Sequence, residues 1–299
     1  MISQDTVPPQ TPTLGFAGLG VMGEPICRNI LVKSGAAMQV FDLSAAPIER
    51  LVSHGAIAAD SVATMTAEVD ILFLSLPGGK QVEALVRNEI LPAVRAGQLI
   101  VDMSTSPVGL TRELADELAA KGAHLIDAPV ARTRQAAEDG TLSVMVGGSD
   151  NHFAMLHPLL AHAATDITHC GPIGCGQVVK ILNNMVLFET VVALSEALNL
   201  GRAAGVDDTL LFDTLSKGSA DSFALRNHGM KAMLPDTFPT GAFPTDYALK
   251  DVSYALDLAR LTRFRAQGAE LARDRMEKAR EAGLGDAYFP ALVRVTDRT

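Results

Sequence analysis

Short apolar runs alternate with amphipathic stretches through the first half of the chain. Thr13–Ala17, Met38–Phe41, Ala56–Ala58, Ile71–Ser75, Leu99–Asp102, His124–Asp127 and Leu142–Val146 read as strands. Ile71-Leu-Phe-Leu-Ser75 is apolar almost throughout, as expected of a strand covered on both faces. Between these runs, helical patterns span Met22 to about Leu31, Pro47–Ser53, Ser61–Glu68 and Pro107–Ala120. Ser106 precedes Pro107 as a helix cap, and Gly122 closes that helix. A short polar helix after Arg134 leads through Gly140 into the Leu142–Val146 strand.

After Gly176 the texture changes to long helical patterns alone: Gln177–Ala204, Val206–Ser216, Asp221–Met233, Thr245–Leu261 and Gln267–Ala282. Gly205, Gly218 and the Pro235–Pro244 segment separate them. A βα-alternating half followed by an all-helical half predicts an α/β Rossmann-type domain and then an all-α domain, with a ligand cleft between them. The expected boundaries are a loose tail at 1–12, the α/β domain at 13–173 and the helical domain at 174–299.

Composition narrows the function. A formal charge of −9 argues against a general nucleic-acid surface. No apolar run approaches the roughly 20 residues of a membrane span, so no membrane partner is expected. The polar, proline-bearing start lacks the pattern of a signal peptide. Cys27, Cys170 and Cys175 form no metal-like cluster and read as reduced thiols of a cytoplasmic protein. The scattered histidines suggest no metal either.

Gly18-Leu19-Gly20-Val21-Met22-Gly23 directly follows the first strand and opens a helix. In that context G-x-G-x-x-G permits a tight turn and brings helix N–H groups up to a pyrophosphate. Asp42 ends the second strand, nineteen residues after the last of these glycines. A carboxylate there accepts the adenosine ribose hydroxyls and repels a 2′-phosphate, and Leu43 and Ser44 bring no arginine. The expected cofactor is NAD(H) rather than NADP(H). Leu76 and Pro77 leave the Ile71–Ser75 strand at the sheet edge where such ligands bind.

A second glycine-rich stretch, Gly171-Pro-Ile-Gly174-Cys-Gly176, delivers the chain into its longest helical pattern. Lys180 lies early in it among Val178, Val179, Ile181 and Leu182, with Asn184 one turn further on the same face. A lysine so placed needs water, a partner or a ligand, and partial burial would bring its pKa toward acid–base use. Ser104 and Thr105 leave the Leu99–Asp102 strand within reach of a nicotinamide amide or a substrate. Arg132 follows another strand and is an anion-clamp candidate, or else a surface residue paired with Glu138 or Asp139. Lys250 either reaches the cleft or pairs with Asp246 at i, i+4.

Taken in order, Gly18–Gly23, Asp102-Met-Ser-Thr, Asp127-Ala-Pro-Val, Gly140-Thr-Leu, Gly171–Asn184 and Leu249-Lys-Asp251 resemble the successive signatures of the β-hydroxyacid dehydrogenases. That family includes 3-hydroxyisobutyrate dehydrogenase and tartronate semialdehyde (2-hydroxy-3-oxopropionate) reductase. The resemblance covers about residues 13–290. It implies a dinucleotide-binding Rossmann domain at 13–173, a helical substrate and dimerisation domain at 174–299, and NAD(P)-dependent interconversion of a small anionic β-hydroxy acid and its semialdehyde, in a homodimer or homotetramer. It matches Lys180 to the catalytic general acid/base, Asn184 to a substrate-contacting asparagine, Ser104 and Thr105 to the loop beside nicotinamide, and Lys250 to a second lysine at the cleft. Where the common pattern is Ser-Gly-Gly, this chain has Ala131-Arg132-Thr133, similar to the Gly-Arg-Thr of sulfolactaldehyde reductases. Arg132 and Thr133 are therefore expected to hold an anionic head group. The alternatives are a sulfolactaldehyde reductase, a semialdehyde or imine reductase of a neighbouring branch, and a non-catalytic nucleotide-binding scaffold on the same fold.

Overall fold

The computed structural model describes residues 12–296. The expectation of a loose tail at 1–12 falls almost wholly outside them. The chain divides into two compact units at Lys180–Ile181.

The first unit is built on a nine-stranded sheet. Its strands are β1 (Leu14–Ala17), β2 (Met38–Phe41), β3 (Ile57–Ala58), β4 (Ile71–Leu74), β5 (Leu99–Asp102), β6 (His124–Asp127), β7 (Val130–Ala131), β8 (Leu142–Gly147) and β9 (Ala164–Gly171). The spatial order is β3-β2-β1-β4-β5-β6-β8-β7, with β9 pairing β8. The first six run parallel, while β8 is antiparallel to β6 and β7. The chain winds outward from β1 through β2 to β3, then restarts at β4 on the other side. The strand order therefore reverses between β1 and β4, and ligands of open α/β sheets bind beyond the carboxyl ends at such a point.

The apolar runs are explained by the two cores they face. Leu14, Phe16, Ile71, Phe73, Leu99 and Val101 enter one cluster, and Ala17, Leu72, Leu74 and Ile100 the other. Successive side chains alternate between faces, and helices cover both. Phe16 stacks on Phe73 with ring centroids 5.9 Å apart.

Most local expectations match closely, and the differences have physical causes. Ser61 caps the Val62–Glu68 helix through a reciprocal capping box with Thr64. Ser106 does not cap. It is buried and donates to Asp102 Oδ2 at 2.9 Å, while the helix starts at Val108 behind Pro107. Helices at Gly79–Leu85 and Asp150–Leu160, and strands β7 and β9, have no counterpart in the expectations. β9 carries Thr165, Asp166, Thr168 and His169 and is half-buried or exposed along most of its length, so it lacks the apolar signal of a central strand.

In the second unit, Thr245–Leu261 and Gln267–Ala279 pack through Ala248, Val252, Ala269, Ala272 and Met276. Phe188, Phe212, Leu225 and Phe289 fill the rest of the core, the last from a 3₁₀ segment, Phe289–Val295. The Cys175–Ala203 helix is long and apolar enough to cross a membrane, an 18-residue window within it having a mean hydropathy of 1.5. This corrects the expectation that no such stretch exists: charged residues interrupt the apolar run, yet the Val and Leu residues around them keep the window average high. The same composition suits a core helix, and Phe188, Val191 and Leu198 lie inside the helical core.

Candidate active site

The glycine turn sits at the strand-order reversal. Gly18 adopts φ +93°, and a Cβ there would lie 2.3 Å from the Ser75 carbonyl oxygen. A Cβ on Gly23 would meet the Gly18 carbonyl oxygen at 2.0 Å. Those two positions serve backbone contact. Gly20 is different: a Cβ there would meet nothing within 4 Å, so its face is open to a ligand. Leu19, Val21 and Met22 complete the turn into the Gly23–Ser34 helix, whose start has no side-chain cap, so its N–H groups suit a pyrophosphate.

Asp42 stands just beyond β2, where the ribose reading needs it. Its carboxylate already accepts from Leu19 N at 2.6 Å and from Ser44 N at 2.8 Å. These residues fit a nicotinamide dinucleotide. Among the described residues no three His, Cys, Asp or Glu side chains gather as metal ligands would.

The next two loops are tied together. Ser104 is buried, and its hydroxyl accepts from Leu76 N at 2.8 Å, so it braces the Leu76-Pro77 turn. Thr105 beside it is partly exposed. Asp102, closing β5, accepts from Ser104 N at 2.9 Å and from the Ser106 hydroxyl. Burial pushes its carboxyl up to about 6, against those bonds, with the nearby Asp127 charge adding to the rise.

Asp127, closing β6, is fully buried. Oδ1 accepts from Gly174 N and Oδ2 from Gln177 N, both at 2.7 Å. Its pKa is also raised by burial, opposed by these backbone donors. Gln177 donates from Nε2 to Ser104 O at 2.8 Å and accepts from Ser106 N at 3.1 Å. The first turn of the Cys175–Ala203 helix is thus bonded to the carboxyl ends of β5 and β6, and Lys180, half-buried, lies on the next turn.

Arg132 is held by the protein. It has φ +89°, and its guanidinium donates to Thr141 O at 2.6 Å, Thr165 Oγ1 at 2.9 Å and Asp166 Oδ2 at 2.6 Å. The carboxylate it meets is neither of the two expected: Glu138 is taken by Arg28. Thr133 caps the Arg134–Asp139 helix by accepting from Ala136 N.

In the helical unit, Asn184 and Asp251 are both buried, and Asn184 Nδ2 donates to Asp251 Oδ2 at 2.7 Å. Lys250 Nζ lies 3.3 Å from Asp251 Oδ1, outside hydrogen-bond geometry, and 4.8 Å from the centre of the Tyr247 ring. The carboxylate facing Lys250 is thus its chain neighbour.

Sequence reasoning assigned no role to Asp102, Asp127, Gln177, Asp166 or Asp251. The first two had a readable signal: each is a lone carboxylate at the last position of an apolar parallel strand. Gln177 and Asp166 had none, since their partners are distant in sequence.

Known proteins bear on this arrangement. Residues 13–171 match the NAD binding domain of 6-phosphogluconate dehydrogenase, and residues 174–296 match a family described as NAD-binding of NADP-dependent 3-hydroxyisobutyrate dehydrogenase. The chain is 34% identical over 287 residues to the 2-(hydroxymethyl)glutarate dehydrogenase of Eubacterium barkeri, covering 95% of each chain. It is 35% identical over 268 residues to the 3-hydroxyisobutyrate dehydrogenase of Pseudomonas aeruginosa, covering 87% of this chain and 90% of that one. The Mycobacterium tuberculosis 3-hydroxyisobutyrate dehydrogenase structure with L-serine superposes with a TM-score of 0.87 at 30% identity, covering 95% of this chain and 99% of that one.

Proposed function

The chain belongs to the β-hydroxyacid dehydrogenase family, and from that premise we propose that it interconverts a small anionic β-hydroxy acid and its semialdehyde with Lys180 as general acid/base. It is an NAD(P)-dependent dehydrogenase. The proposed cofactor preference is NAD(H), on the strength of Asp42. The proposed substrates are 3-hydroxyisobutyrate and its relatives, including 2-hydroxy-3-oxopropionate. A substrate with a second carboxylate is favoured as an alternative by the similarity to the 2-(hydroxymethyl)glutarate enzyme.

One observation carries the catalytic assignment. Lys180 stands one turn beyond a helix start that is bonded to the carboxyl ends of two parallel strands. When bound, the nicotinamide supplies or accepts the hydride at its C4. In the reducing direction Lys180 donates a proton to the carbonyl oxygen, and in the oxidising direction it takes the hydroxyl proton. Asn184, its amide oriented by Asp251, is the proposed group that orients the reacting oxygen or the lysine. Ser104 keeps the Leu76-Pro77 turn in place beside Thr105. We also propose self-association through the helical unit, supported by exposed Leu200, Leu210 and Phe264.

The test is a panel of 3-hydroxyisobutyrate, 2-(hydroxymethyl)glutarate, tartronate semialdehyde and sulfolactaldehyde with both cofactors, followed by Lys180→Ala on the best substrate. Loss of about 10²–10⁴-fold in kcat with NADH binding intact is expected, as for a missing proton donor. Lys180→Arg is expected to be nearly as inactive, because a guanidinium does not release its proton near neutral pH. Retention of more than about a tenth of kcat in Lys180→Ala would remove Lys180 from that role.

A further inference from the structure

We propose that Asp127 and Gln177 are positioning residues for Lys180: together they set the rotation and depth of the helix turn from which its ammonium projects. The proposal rests on the catalytic reading of Lys180 above. Neither side chain is needed to touch the substrate. Both are completely buried, at 0% exposure.

A buried carboxylate is unfavourable unless donors compensate it, and Asp127 finds them at a helix start. The N–H groups of Gly174, just before the helix, and Gln177, in its first turn, both bond to it. Gln177 adds a second, orthogonal restraint. Its amide reaches the main chain at both Ser104 and Ser106, just past β5. One residue therefore fixes the helix start to β6 and the other fixes it to β5. Two anchors on different strands prevent the turn from rotating about either.

The glycines around them show how close this fit is. A Cβ on Gly147 would lie 2.3 Å from Asp127 Oδ1. On Gly176 it would lie 2.3 Å from the Met145 carbonyl oxygen and 2.8 Å from Asp127 Oδ2. Gly176 is thus the position where helix, strand β8 and carboxylate meet. That contact accounts for Gly176, while Gly171 and Gly174 adopt positive φ, at +116° and +86°.

Lys180 follows Gln177 by three residues, so any slip of the first turn displaces its Nζ directly. Misplacement of a reacting group by about 1 Å costs on the order of 10²-fold in rate. Loss of either anchor should therefore appear in kcat. The Gly18–Gly23 turn and Asp42, the proposed pyrophosphate and ribose contacts, follow β1 and β2 rather than the strands of the two anchors, so most of the cofactor affinity should be spared.

The experiment compares Asp127→Asn and the near-isosteric Gln177→Met, each in the wild-type and the Lys180→Ala backgrounds. The full-length enzyme is assayed with NAD⁺ and 3-hydroxyisobutyrate, or whichever acid of the panel proves best. In the wild-type background we expect kcat to fall by about tenfold or more, with both KM values held within about threefold. In the Lys180→Ala background the same substitutions should change the residual rate by less than about twofold, because their effect passes through the missing ammonium. Equal losses in both backgrounds, or KM rising while kcat holds, would make the network a general support and overturn the proposal. Unchanged kinetics in the wild-type background would overturn it too. If Asp127→Asn fails to fold, Gln177→Met alone decides. Failure of the underlying reading looks different: Lys180→Ala by itself would stay active.

Discussion

Arg132 Nη2 sits 2.6 Å from Asp166 Oδ2, an ion pair joining the turn after β7 to the start of β9. Thr165 and Asp166 bond to each other beside it, and Asp166 is held below the usual carboxylate range by the Thr165 hydroxyl and then by Arg132. The arrangement matters because Arg132 occupies a left-handed backbone conformation that favours glycine.

From that geometry Arg132 acts as a strut for its own turn, with its guanidinium committed to the protein. A non-glycine residue in this region costs about 1–2 kcal/mol, and side-chain bonds to three partners offset it. Arg132→Gly should then hold the turn without strain and change kcat/KM by less than about threefold. Arg132→Ala keeps the strain and loses the bonds, so it should do more harm than glycine. A guanidinium that binds the substrate's anionic group would instead cost roughly ten- to a hundredfold in either variant. Steady-state kinetics on both variants, with charged and neutral aldehydes, separates strut from clamp.

The proposed preference for NAD(H) turns on Asp42. Leu19 N and Ser44 N bond one carboxylate oxygen each, so the charge is oriented before any ligand arrives. Leu43 next to it is 98% exposed and offers a 2′-phosphate no cation. Arg50, further along, is paired with Glu24. Higher kcat/KM with NADH than with NADPH is expected, and Asp42→Ser should narrow the ratio by about tenfold as the repulsion is removed. A wild-type enzyme preferring NADPH would reverse the assignment.

How far the sequence carries depends on where the partners lie. Strands β1, β2, β4, β5 and β6 were legible because burial on both faces leaves an apolar run that local pattern detects. The glycine turn was legible because spacing and context coincide. β9 was not, since one residue after another along it is polar. The role of Asp127 was hidden for a different reason. Its donors, Gly174 and Gln177, are 47 and 50 positions away, and only the folded register of β6 against the helix start brings them together. Arg132 shows the same limit. Its nearest acidic neighbours in sequence were obvious candidates, yet the chain delivers Asp166 from 34 residues on.

Asp102 makes a pH-dependent contribution of unusual sign. Its carboxyl is raised from 3.8 to about 6, chiefly by burial. The native state therefore binds a proton more tightly than the unfolded chain, and stability from this group is lost as pH rises from about 4 to 6. Asp102→Asn keeps the acceptor for Ser104 N, while the Ser106 hydroxyl can turn to accept from the new amide. Relative to wild type, the variant should gain about 2 kcal/mol on going from pH 4.5 to 7.5. Thermal unfolding of both proteins at the two pH values measures the difference. A pH-independent difference would show that Asp102 titrates normally.

His228 works in the opposite direction and in the other unit. Its ring is 7% exposed, packed 5.1 Å from the Phe289 ring centre. Nδ1 bonds the Tyr288 hydroxyl, and Nε2 is buried without a hydrogen-bond partner. Burial lowers its pKa from 6.5 to about 4, so the folded protein keeps the ring neutral where the unfolded chain protonates it. Above pH 6.5 neither state carries the charge and the group costs nothing. As pH falls from 6.5 toward 4 the unfolded state gains a proton that the native state refuses, and stability is lost. Between pH 7.5 and pH 5 the loss is about 2 kcal/mol. His228→Asn supplies a non-titrating partner for Tyr288 at the price of a small void, so it should be less stable at pH 7.5 but flatter with pH. Hydrogen exchange at the protected amides of 225–233 reads this locally, which matters in a chain of two units that need not unfold together. Comparing the two proteins at the same pH removes the intrinsic pH dependence of exchange. Their gap in protection should close by about 2 kcal/mol between pH 7.5 and 5, and a constant gap would mean that His228 is not held neutral by its burial.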